Sequence, residues 1–71
     1  MAWTKSVYSS MIDEISYDED RKVMAVKFSK GGLYEYEGVS EDVASALASA
    51  PSVGQMFLSD IRNSYTAKRI R

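Results

Sequence analysis

Apolar and polar positions alternate most clearly between Met24 and Val39, in MAVKFSKGGLYEYEGV. Met24, Val26 and Phe28 share one parity, as do Tyr34 and Tyr36 beyond Ser29-Lys30-Gly31-Gly32. Such alternation puts each set on one face of a strand. The paired glycines supply the positive φ angles of a tight turn. The stretch predicts a β-hairpin, and a bare hairpin is marginal in water, so further elements must cover it. Residues 9–17 read as a preceding strand, in which Met11, Ile15 and Tyr17 share a parity that Ile12 breaks. Either a bulge shifts the register there or both faces are partly covered. Asp18-Glu19-Asp20-Arg21 forms the turn between, with carboxylates placed to accept nearby backbone amides.

Past Gly38 the period changes. Ser40 is a good N-cap, and Glu41 and Asp42 favour the positive end of a helix dipole. The helix should cover 41–49, with Val43 and Leu47 four apart on its buried face and alanines allowing close approach. Pro51 stops it and can occupy an early position in the next helix. That helix, 52–63, carries the stripe Val53, Phe57 and Ile61 with Met56 beside it. Gly54 in its first turn marks a close backbone contact or a late start.

The expected fold is α+β: a three-stranded antiparallel β-meander, 9–17, 22–29 and 33–38, with two short C-terminal helices packed on one face. The expected core is Ile15, Met24, Val26, Phe28, Val43, Leu47, Phe57 and Ile61. Residues 1–6 read as a flexible arm, from which Trp3 either folds back onto the core edge or meets a partner. Tyr65 and Ile70 suggest that 64–71 packs back as an extended edge piece, ending in a basic tail, 66–71.

Seventy-one residues make a single small domain, 1–71. Its formal net charge is −1, which argues against a strong footprint for nucleic acid over the whole surface. The charge is segregated, however: from Ile61 onward come Arg62, Lys68, Arg69 and Arg71 with no acid. Those groups either form a solvated surface or touch phosphate or an acidic partner. Asp18, Glu19 and Asp20 lack the spacing and closing glutamate of a calcium loop, so no metal is expected. The chain contains neither histidine nor cysteine, which removes the commonest bases, nucleophile pairs and zinc ligands. Carboxylate pairs need a cleft for which so small a domain has little room. The expectation is a protein without enzymatic activity or cofactor. No apolar run is long enough to cross a membrane, and the N-terminus lacks the apolar core of a signal peptide. A cytoplasmic location is expected.

The ordered motifs resemble the KTSC domain, a family found at the C-terminus of some lysyl-tRNA synthetases and as small stand-alone proteins of bacteria and phages. The likeness rests on Ser9-Ser10, Ile12, Ile15 and Tyr17-Asp18, then Met24 to Phe28, then Gly32-Leu33-Tyr34-Glu35-Tyr36 with its Y-x-Y signature. It continues through Val39, Val43, Leu47 and Ala50 into Ser52-Val53-Gly54-Gln55-Met56-Phe57, similar to the family's S-x-G-x-x-F element, and on to Ile61 and Tyr65. Ser40 stands where a proline is usual, Ser16 where glycine is common, and Leu58 where an asparagine often follows the phenylalanine.

The resemblance implies no assigned activity, and two readings stay open. In the first, the domain binds a protein, as a phage-encoded inhibitor or modulator of a host machine would, docking by a sheet edge or through Trp3 and neighbouring aromatics. In the second it binds single-stranded RNA. Tyr34 and Tyr36 would stack bases, as sheet-based RNA modules do, and the basic groups at Arg62, Lys68, Arg69 and Arg71 would meet phosphate. Against that stands the plainer role for the tyrosines of covering the helices. Monomer and homodimer are both open.

Overall fold

The computed structural model describes residues 2–71. Five strands form one antiparallel sheet in sequence order: β1 (Ala2–Ser6), β2 (Ile12–Asp18), β3 (Val23–Phe28), β4 (Leu33–Glu37) and β5 (Ala67–Arg69). The expected α+β meander is present at the centre as β2, β3 and β4. The strand count of three is corrected to five, because both chain ends join the sheet. The segment read as a flexible arm is edge strand β1, paired with β2 from Ala2↔Asp18 to Ser6↔Glu14; Met1 lies outside the described residues. The basic tail contains β5, paired with β4 through Tyr34↔Arg69, Glu35↔Lys68 and Tyr36↔Ala67. Both strands are held by backbone ladders and leave nearly every side chain exposed, so they carry no alternation to read.

The parity break at Ile12 is a bulge. Ile12 pairs with Phe28 and Glu14 with Lys27, leaving Asp13 as the extra residue that rotates Ile12 onto the face of Ile15 and Tyr17. On that face Tyr17, Met24 and Tyr36 form one cross-strand row, and Ile15, Val26 and Tyr34 the next. At the turn, Asp18 Oδ1 accepts the amides of Asp20 (3.1 Å) and Arg21 (3.3 Å).

Helix α1 (Glu41–Ala48) opens at Ser40, whose hydroxyl accepts the Val43 amide at 3.3 Å. Helix α2 (Val53–Met56) opens at Ser52, whose hydroxyl accepts the Gln55 amide at 3.4 Å. It then widens into a π-helical turn over Phe57–Ile61, closed by the Arg62 amide on the Phe57 carbonyl at 2.9 Å. The 52–63 helix is thus shorter than expected and changes pitch within itself, while its stripe of Val53, Phe57 and Ile61 is buried as expected. Pro51 lies in the linker, outside both helices.

The helices cover the tyrosine face of the sheet. Ala44, Leu47 and Ala48 of α1, with Val53, Phe57 and Ile61, join Ile12, Ile15, Tyr17, Met24, Val26, Tyr36 and Val39 in one core. Of the expected core, Phe28 and Val43 are only half-buried. Tyr17 is an addition; its hydroxyl donates to the Val39 carbonyl at 2.6 Å. Burial raises the pKa of that phenol, and the carboxylates of Glu41, Glu19 and Asp18 add to the shift. The other face of the sheet is polar, with Thr4 and Ser16 sharing a 2.9 Å hydrogen bond and Arg21 within 3.5 Å of Glu35.

Candidate functional site

Aromatic side chains from the hairpin and the π-helical turn meet edge to face. The Phe28 ring lies 5.6 Å from Tyr34 and 5.4 Å from Phe57, and Tyr36 lies 5.7 Å from Phe57. Edge-to-face contact is the favourable geometry for aromatic quadrupoles. Together with Met11 and Leu58 these rings line a groove of about 370 Å³ that opens to solvent. Gly31 at the hairpin turn and Arg62 complete the lining. Leu58 is 45% exposed although it is a large aliphatic side chain. Met11 is seated by Gly54: a Cβ there would lie 3.3 Å from its Cε and 3.4 Å from the Ser9 hydroxyl. The close contact anticipated at Gly54 is therefore with the segment leading into β2.

The residues singled out in the sequence are divided between several places. Tyr34, Tyr36 and Arg62 come together in the groove. Tyr36 is buried, and burial, followed by the neighbouring Tyr34, raises its pKa, which the Arg62 charge opposes. Tyr34 is half-buried, with the Arg69 guanidinium 5.9 Å from its ring centre, in cation–π range. Both rings look toward the helices, so neither offers the open sheet face on which RNA modules stack bases. Lys68 is paired with Glu35 in the row on the polar face, away from Arg69. The Arg71 carbonyl ties the C-terminus to the hairpin by accepting the Leu33 amide at 3.1 Å. Trp3 sits on the far edge strand with its ring 5.9 Å from Tyr17. Four strand spacings, roughly 19 Å, separate that edge from β5. By sequence pattern Phe28 and Phe57 are core positions, Gly31 a turn position and Met11 a strand position; only packing brings them into one groove. The signal that the sequence offers is Leu58, an apolar residue off the buried stripe.

The KTSC domain profile matches residues 8–65, which span every element from β2 to the π-helical turn. The chain belongs to the KTSC domain family. The crystal structure of a KTSC domain protein from Yersinia pestis superimposes with a TM-score of 0.92 at 31% identity, covering 100% of both chains. An uncharacterized protein of Stutzerimonas stutzeri (strain A1501) is 38% identical over 52 residues, 73% of each chain. A lysine–tRNA ligase of Nostoc punctiforme is 31% identical over 61 residues, 86% of this chain but only 11% of that protein. Of the positions that depart from the resemblance, Ser40 supplies a helix cap, and Ser16 bonds to Thr4 across the open face. Leu58 adds an exposed aliphatic side chain to the groove of this KTSC domain.

Proposed function

We propose that this KTSC domain is a non-enzymatic binding module that acts in the cytoplasm and recognises a host protein through the aromatic groove. The observation that carries the reading is the exposed Leu58 beside four aromatic rings in one open groove. A small concave apolar patch next to a single arginine has the composition of a protein-docking hot spot. Among the described residues no helix is long and apolar enough to cross a membrane. Leu58→Glu tests the reading without touching the core. Captured from host extract, the partner should be retained by the natural domain and lost, by at least ten-fold, from the variant. An identical set of proteins on both would overturn the groove assignment.

The second reading, single-stranded RNA, is favoured by the likeness to part of a lysine–tRNA ligase and by Arg62 and Arg69 lying beside the two tyrosines. Lys68, on the polar face, does not join them. If Arg62, Arg69 and Arg71 each neutralise one phosphate, the log–log salt slope should be about −2, roughly a ten-fold loss of affinity as salt triples. Replacing the three by glutamine should flatten it. A salt-independent or undetectable affinity for single-stranded RNA would remove this reading.

A further inference from the structure

Among the described residues the groove is lined by one charge, that of Arg62, and by no counter-charge. Its other lining residues, from Met11 to Leu58, are uncharged. Among the described residues Arg62 makes no ion pair and no side-chain hydrogen bond. The Tyr36 hydroxyl is likewise without a hydrogen-bond partner among them, and it is not sealed from solvent. Tyr36 and Arg62 both line the groove, so the two donors face one shared space.

We propose that the groove takes the C-terminal residue of a protein partner, where that residue is aromatic or branched aliphatic. Its side chain packs against Phe28, Tyr34 and Phe57, and its terminal carboxylate is held by the Arg62 guanidinium and the Tyr36 hydroxyl. The assignment rests on reading the groove as a protein-binding site and names what it recognises. Three features select this occupant. A volume of about 370 Å³ is near the lower end for ligand pockets and suits one large side chain. The planar guanidinium matches a carboxylate with two parallel hydrogen bonds. In an extended segment neighbouring side chains point to opposite sides, so an internal Asp or Glu beside the anchor would face away. A terminal carboxylate stays within one residue of the anchor. Nucleic acid fits less well, since the groove presents one cation where a phosphate backbone needs several.

The test is a titration of isotope-labelled protein, followed by NMR. The probes are short N-acetylated peptides ending in Phe, Tyr or Leu, each as the free acid and as the C-terminal amide, with uridine monophosphate as the nucleotide control. The free acids should shift the amides of Gly31, Leu58 and Arg62 and bind at least ten-fold more tightly than the amides. Arg62→Gln, at an exposed position, should reduce the acids to the affinity of the amides, and Leu58→Glu should weaken both. Acids and amides of equal affinity, or a preference that survives Arg62→Gln, would overturn the carboxylate assignment. So would tighter binding of the nucleotide, or no shifts with any peptide. Loss of a captured host protein from Leu58→Glu would in those cases still support the groove as a protein site.

Discussion

Phe57→Ala should leave the domain largely unfolded. The ring is 4% exposed, sits at the start of the π-helical turn, and touches both Phe28 and Tyr36 across the groove. Truncating a buried phenylalanine costs about 3–5 kcal/mol. Total stabilities run at about 5–15 kcal/mol, and a chain of this size belongs at the low end. No disulfide offsets the loss. The expected result is collapse of amide dispersion in the NMR spectrum and a low or absent denaturation midpoint. A well-dispersed spectrum with the natural midpoint would show that the ring is peripheral and that the cover over the tyrosine face is held by α1 alone.

Gly32→Val should destabilise by about 1–3 kcal/mol, the scale of a strained backbone position. Gly32 has φ +99°, a conformation that a β-branched residue resists, and its carbonyl accepts the Phe28 amide at 3.1 Å. A Cβ there would also lie 3.2 Å from Cε1 of Tyr34. Strain at the turn would thus reach the groove through that ring. Gly31 has φ +104° with open space around it, so Gly31→Asn should cost less than Gly32→Val. Equal midpoints for the natural protein and Gly32→Val in chemical denaturation would contradict this account of the hairpin.

The parts of the fold that were legible in the sequence are those where one face is buried and the other wet. The β3–β4 hairpin declared itself through Met24, Val26, Tyr34 and Tyr36, and the register pairs those same residues across the ladder. Helix α1 was marked by Ser40, and the later stripe by Val53, Phe57 and Ile61. The edge strands could not be read this way. In Ala2–Ser6 only Trp3 is partly covered, and Ala67–Arg69 is exposed throughout, so backbone pairing rather than side-chain pattern decides them. The widening of the second helix left no trace either, since the same stripe serves an α-helix. For the groove, three contributors were named from sequence: Tyr34, Tyr36 and Arg62. The rest were hidden because Phe28 and Phe57 follow the core pattern, and only packing shows that their edges reach solvent. Lys68 shares their basic and aromatic chemistry but is set on the polar face by the register, and Trp3, a candidate for protein docking, lies on the opposite edge strand.

Ligand should meet this domain at the groove between the hairpin and the π-helical turn. The most direct measurement is an amide chemical-shift map of the labelled domain with its purified, captured partner. The predicted result is a continuous patch of perturbations at Met11, Gly31, Leu58 and Arg62. Perturbations confined to the polar face, at Thr4, Ser16, Glu35 and Lys68, or to the β1 edge around Trp3, would contradict it.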